Sequence, residues 1–229
     1  MDPFSDIRLN RVSAAEQVAR ALTDKIMSGA LQAGEPLRES AIAMSLGISR
    51  NTVREAVRLL EQSGLVRHEL HRGTIVIEPS VDELFELYQT RKRLEVASVT
   101  ETPASERLPV LHEAFASLAA AAVRGDAREI VEEDLAFHAA LVGLLGSKRI
   151  DAFYTQLVRE LQFFVMVLTV EDREYERPDF VIEEHQVIYD AVIAGDTERA
   201  RGAVSEHIDR NMHRLTAILI NRTGKVFSG

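Results

Sequence analysis

No cysteine occurs among the 229 residues, which excludes disulfides and thiolate metal ligands and fits a reducing compartment. No apolar run approaches the roughly 20 residues needed to span a bilayer. The strongest candidate, Leu161 to Val170, is about half that length and reads as a buried helix. The first residues include Asp2 and Asp6 and have no apolar core. No secretory signal is therefore expected, and the expected location is cytoplasmic, without membrane association. Internal repeats and low-complexity tracts are absent, and no convincing strand pattern follows residue 80. No recognised catalytic motif, His-Glu-x-x-His included, is present either. The expectation is a protein that is not an enzyme.

What is present is a chain that is 46% apolar, enough for a substantial core, with the length of two modest domains or one large one. The formal net charge of −9 argues against a nucleic-acid partner only until the chain is divided. Residues 1–78 hold ten Lys/Arg and ten Asp/Glu, while residues 79–229 hold 17 against 26. Any grip on DNA by the first part must come from locally placed arginines rather than from bulk charge.

The stretch Ser49 to Gln62 supplies that placement. Ser49 is suited to cap a helix and Gly64 to end it. Val53, Ala56, Val57 and Leu60 share one face at helical spacing. Arg50, Arg54 and Arg58 repeat every four residues on another, with Asn51 and Thr52 beside the first. A helix N-terminus with exposed donors and arginines suits phosphates and guanine edges in a major groove, although an ordinary solvated basic face would show the same pattern.

Its neighbours narrow the choice. Residues 1–12 read as a loose polar arm. Ser13 and Glu16 form a capping box that opens a helix with Val18, Leu22 and Ile26 on one side and Gly29 near its end. A short helix over Glu39–Leu46 follows, with Ile42, Ala43 and Leu46 expected inward. Gly47-Ile48-Ser49 then connects it to the arginine helix, which is the helix-turn-helix arrangement. Leu65–Leu70 and Thr74–Ile77 read as a hairpin with His71-Arg72-Gly73 at its tip. A hairpin in that position is a wing, able to reach phosphates or a minor groove.

Glu78-Pro79 is the expected boundary, and Ser80 with Glu83 forms a further capping box. Helices are expected at roughly 80–100, 109–124, 127–145, 147–172, 179–194 and 197–220, separated at Pro103 and Pro109, Gly125-Asp126, Gly146-Ser147, Pro178 and Gly195-Asp196. The fold class is mainly α: a winged helix-turn-helix over residues 13–78 and an all-helical antiparallel bundle over residues 79–222, with a tail at 223–229.

Within the bundle, Asp134 and His138 stand four residues apart on one helix face. His185 and His207 fall on two other helices, each with apolar neighbours about one turn away. Three inward histidines and a carboxylate would suit zinc, nickel, manganese or iron better than calcium. Taken singly, each histidine is more often a hydrogen-bonded core or surface residue than a ligand, and Asp134 with His138 could be a simple helical pair. His68, His112 and His213 show no such pattern.

Residues 13–78, above all Gly47-Ile-Ser-Arg-Asn-Thr-Val-Arg-Glu-Ala-Val-Arg-Leu-Leu-Glu-Gln-Ser-Gly-Leu-Val66, resemble the winged helix of GntR-family bacterial transcription regulators. Where that family commonly has Thr-Pro, this chain has Asn51-Thr52. Residues 82–220 resemble the FCD ligand-binding domain of the FadR-type branch. Arg91-x-x-Leu94-Glu95 matches its opening helix, and Asp134-x-x-x-His138, His185 and His207 follow in the order of its metal ligands. Ser147 stands where an asparagine is often found.

The resemblance implies a divalent metal, with zinc first among the candidates, on Asp134, His138, His185 and His207. It also implies a small organic acid beside the metal, with Arg91 near the pocket as its bidentate partner; an intramolecular ion pair is the competing role for Arg91. The implied protein is a homodimeric repressor on a palindromic operator. Ser49, Arg50, Asn51, Thr52 and Arg54 would face the major groove, and His71, Arg72 and Gly73 would form the wing contacts. A metal-responsive regulator and a metal-dependent hydrolase are the alternatives.

Overall fold

The computed structural model describes residues 12–27, 30–77, 80–100, 105–172 and 177–223. The arm over residues 1–11, Gly29, the boundary pair Glu78-Pro79, Pro103 and the tail from residue 224 lie outside the described residues. The chain forms two compact units, residues 1–78 and 79–229.

Among its described residues the first unit contains three helices and a hairpin: α1 (Ala14–Met27), α2 (Glu39–Leu46), α3 (Arg50–Gln62), β1 (Val66–Glu69) and β2 (Gly73–Val76). α1 opens on the reciprocal pair Ser13 and Glu16: the Ser13 N–H donates to Glu16 Oε2 at 2.6 Å and the Glu16 N–H to Ser13 Oγ at 3.1 Å. α2 ends where Gly47 takes φ of +64°, a left-handed position that a glycine enters without a Cβ penalty. α3 begins at once, with Ser49 Oγ accepting from the Thr52 N–H at 3.1 Å.

Val18, Leu22 and Ile26 of α1 and Val53, Ala56, Val57 and Leu60 of α3 are buried, and α1 packs against α3. One inward assignment fails. Leu46 is 51% exposed, because an eight-residue helix buries little more than one turn's stripe, and here Ala43 occupies it. β1 and β2 pair antiparallel with Val66 opposite Val76 and Glu69 opposite Gly73. Backbone bonds from Leu37 to Thr74 and from Val76 to Glu35 add the segment before α2 to the same small sheet.

The second unit is helical throughout its described residues: α4 (Val81–Ser98), a single 3₁₀ turn (Ser105–Arg107), α5 (Leu108–Arg124), α6 (Ala127–Gly143), α7 (Lys148–Asp172), α8 (Pro178–Ile193) and α9 (Thr197–Thr223). Ser80 caps α4 through the Glu83 N–H, and Asp126 caps α6 through the N–H groups of Arg128 and Glu129. Pro109 and Pro178 sit within the first turns of α5 and α8 rather than outside them; there a missing N–H leaves no helical bond unmade. α5 packs on α6 and α8, α6 on α7, and α4 on α6 and α9. Leu84, Leu111, Leu118, Leu135, Leu141, Leu161, Ile188 and Val204 form the buried interior. Among the described residues no helix is long and apolar enough to cross a membrane.

Candidate metal centre and nucleic-acid interface

α6, α8 and α9 each turn polar side chains into that interior. Asp134 and His138 lie one turn apart on α6, His185 comes from α8 and His207 from α9. One ligand atom from each of the four lies within 4.8 Å of all the others. The ring centroids of the three imidazoles are 4.7 to 5.4 Å apart, and the rings are no more than 3% exposed. Asp134 Oδ1 stands 2.8 Å from His185 Nε2 and 3.9 Å from His138 Nε2. Phe137 closes one side, edge-on to His185 at 5.2 Å.

The far nitrogens of these rings are anchored. His185 Nδ1 donates to the Val181 carbonyl at 2.7 Å, and His138 Nδ1 meets Glu95 Oε2 at 2.6 Å. Such anchors fix the tautomer and direct Nε2 toward the cluster. His138 Nε2 is then buried without a hydrogen-bond partner among the described residues. His207 has Nε2 3.0 Å from Asn211 Nδ2 and Nδ1 3.4 Å from Glu184 Oε2, and its Nδ1 is likewise without a hydrogen bond. Buried nitrogens without partners are costly unless something supplies the missing bond. Three imidazoles and one carboxylate, with no sulfur, form a donor set that fits a divalent ion of zinc's type.

The charges around the cluster are strongly coupled. Burial alone would raise Glu95, but the His138 imidazole that donates to it and the Arg91 guanidinium hold it down to about 2. Asp134 is likewise depressed against its burial by His138 and His185. Burial pushes His207 down to about 3 and lowers His138. For His185 burial acts downward too, yet the Asp134 carboxylate outweighs it and raises the ring.

A small pocket of about 30 Å³ adjoins the cluster, walled in part by Tyr88, Arg91, Val131, Glu184, Asn211 and Arg214. Arg91 is 1% exposed. Its Nε donates to Glu95 Oε1 at 2.6 Å, while its buried Nη2 has no hydrogen-bond partner among the described residues. Both roles weighed for this arginine are thus open to it at once: an internal ion pair through Nε, and an unmatched donor at the cavity wall. Glu95, Tyr154, Glu184 and Asn211 had no assigned place in the site. Their sequence signal is slight: Glu95 follows Arg91 by one helical turn, and Asn211 follows His207 by one.

In the first unit, Arg50 and Asn51 are exposed at the N-terminus of α3. Ser49 and Thr52 spend their polar atoms on the cap, with the two hydroxyl oxygens 2.9 Å apart, so they hold the helix start in shape. Arg54 leans on Glu39 of α2 at 3.4 Å. At the wing tip His71 takes φ of +67° and Gly73 of +74°, which folds the turn tightly. Arg72 donates to Glu69 at 2.8 Å and to the Gly34 carbonyl at 3.4 Å. Glu69 also accepts from Arg67 at 3.0 Å.

A winged helix-turn-helix followed by a helical unit is the architecture of a DNA-binding transcription regulator. Residues 14–76 match the family model of bacterial regulatory proteins of the gntR family, and residues 86–210 match the FCD domain. The chain belongs to the gntR family and carries an FCD domain.

Among its relatives, the "Probable D-xylose utilization operon transcriptional repressor" of Paenarthrobacter nicotinovorans is 29% identical over 88% of each chain. The gluconate operon transcriptional repressor of Bacillus subtilis (strain 168) is 25% identical over 82% of this chain and 79% of its own. A GntR transcriptional regulator from Rhodococcus sp. RHA1 superposes with a TM-score of 0.72 at 30% identity, covering 90% of this chain and 99% of its own. E. coli McbR/YncC superposes with a TM-score of 0.66 at 25% identity, covering 93% of this chain and 100% of its own.

Proposed function

We propose that the protein is a repressor whose operator affinity is set by a small carboxylate bound beside a divalent metal in the helical unit. The observation that carries this reading is the closure of Asp134, His138, His185 and His207 to within 4.8 Å in a buried setting, next to a cavity that Arg91 lines. Those four residues would hold the metal, zinc first among the candidates. Once bound, such an ion supplies a Lewis-acidic anchor for a carboxylate oxygen.

The chain's own groups supply the rest. Arg91 offers its unmatched Nη2 to an anion, and a guanidinium recognises a carboxylate with directional bonds. Val131, Val165, Val181 and Leu215 give the cavity apolar walls that restrict the size of the guest. In the DNA-binding unit, Arg50 and Arg54 read bases or phosphates from α3, Asn51 assists, and Ser49 and Thr52 organise the helix start. His71, Arg72 and Gly73 form the wing contact. As a homodimer the protein presents two α3 helices to a palindromic operator, which multiplies the limited discrimination of one short helix. The acid alters repression because it binds the DNA-competent and DNA-released arrangements with different affinity. Relatives named as repressors of xylose and gluconate operons support this reading.

The test combines metal analysis of the purified protein with titration of DNA from upstream of its own operon. Each titration is run with and without chelator and with a panel of small carboxylates. Metal in the wild type, its loss in Asp134→Ala, and a carboxylate-dependent change in DNA affinity are expected. Operator binding that responds to chelator alone would make the metal itself the signal. Binding indifferent to both metal and every acid would refute the proposal.

A further inference from the structure

We infer that Glu95 is a positioning residue that ties the His138 imidazole to the Arg91 guanidinium, so that the ion-binding and anion-binding halves of the cavity are set by one carboxylate. This rests on the metal-and-carboxylate reading above.

Glu95 is 0% exposed, and its two oxygens are divided between the two halves. Oε2 lies 2.6 Å from His138 Nδ1. Oε1 accepts from Arg91 Nε at 2.6 Å and from the Tyr154 hydroxyl at 2.6 Å. One side chain on α4 therefore joins its own helix to α6, through His138, and to α7, through Tyr154.

An ionised carboxylate only accepts hydrogen bonds. The nitrogen of His138 facing it must carry the ring proton, which leaves the Nε2 lone pair on the side of Asp134. The same carboxylate engages Arg91 through Nε alone, so the guanidinium plane is held with Nη2 buried and unmatched at the cavity wall. A purely architectural role accounts poorly for this arrangement. A buried ion pair is weak support for stability, and apolar side chains of similar volume would serve a core as well. Of the two acids that line the cavity, Asp134 meets His185 and Glu184 meets Arg210 and the His207 side, whereas Glu95 meets both His138 and Arg91.

Glu95→Gln is the decisive substitution, since it preserves volume. If the amide oxygen keeps Arg91 and Tyr154, its NH₂ faces His138 Nδ1. The ring then gives up its Nδ1 proton and carries it on Nε2 instead, where it blocks the ligand position. Two measurements follow, both on the full chain. Imidazole ¹⁵N correlation spectra of metal-free protein should show His138 protonated on Nδ1 in the wild type and on Nε2 in Glu95→Gln. Zinc affinity, measured by competition with a chromogenic chelator, should fall about 10- to 100-fold in Glu95→Gln. Arg91→Lys should weaken zinc several-fold in the wild type and have no further effect in the Glu95→Gln background.

Unchanged zinc affinity and an unchanged tautomer in Glu95→Gln would overturn the inference. If that variant fails to fold, the wild-type spectrum still decides, because a wild-type His138 protonated on Nε2 also overturns it. Zinc bound by the wild type and lost in Asp134→Ala keeps the metal reading standing in either event. A wild type that binds no zinc defeats that reading instead.

Discussion

Adding zinc to chelator-stripped protein should raise the unfolding temperature of the helical unit by about 9 °C, and the magnitude follows from the structure. The proposed ligands come from three helices, at positions 134, 138, 185 and 207, so the site exists only in the folded unit. An ion that binds only the folded state at about 100 times its Kd stabilises by about 2.7 kcal/mol. The unit has about 150 residues, and unfolding entropy near 2.1 cal/mol/K per residue gives it roughly 0.3 kcal/mol/K. Dividing the first by the second yields the shift. Differential scanning calorimetry with and without zinc reads it, and the DNA-binding unit supplies an internal reference that should not move. Asp134→Ala and the His185→Ala/His207→Ala double variant should lose the shift. A shift of full size in the double variant would place the ion elsewhere, and no shift in the wild type would refute the reasoning.

Arg50→Ala should cost about 1–3 kcal/mol of operator affinity per half-site, read by fluorescence anisotropy. Arg54→Ala should cost less, because Arg54 must first leave Glu39 at 3.4 Å; the reverse order would contradict the assignment. Leu60→Ala, at 1% exposure in α3, should destabilise the DNA-binding unit by about 2–5 kcal/mol in urea unfolding.

Metal-free protein should lose stability as pH falls below about 6.5. Between that value and the about 3 of folded His207, the unfolded chain takes up a proton that the folded chain refuses. Glu95, at about 2, and Asp134, depressed, contribute stability present above the ordinary carboxylate range and lost as pH falls through it toward their folded values. His185, raised by Asp134, acts oppositely: its contribution is complete below about 6.5 and is lost as pH rises through its folded value. Equal urea midpoints at pH 7.5 and 5 would contradict the sum.

Much of the fold was legible because its signals are local. The Ser13/Glu16 pair, the Ser49 cap and the 3.6-residue rows Val18–Leu22–Ile26 and Val53–Val57–Leu60 act within one or two helical turns. The four clustered side chains Asp134, His138, His185 and His207 were singled out as candidate ligands only once the family resemblance grouped them, since each alone reads as an ordinary polar residue beside an apolar helix face. What escaped depends on packing between distant segments. Glu95 meets His138 across 43 positions, and nothing within a turn of Glu95 announces that contact. The pairing of Arg54 with Glu39 across 15 positions requires the angle between α2 and α3. Leu46 looked inward by periodicity, but a two-turn helix has too short a face for that pattern to govern.

The acids set against the basic face of the DNA-binding unit have a consequence for how the protein finds its target. Arg54 rests on Glu39, Arg58 on Glu55, and Arg67 and Arg72 share Glu69, within a segment whose formal charges cancel. Random duplex attracts proteins mainly through unpaired cations that displace its counterions, and here most of those cations already have a partner of their own. Weak binding to random duplex, with a shallow dependence on salt, is the outcome expected of such pairing, leaving base contacts to repay the exchange of partners at the operator.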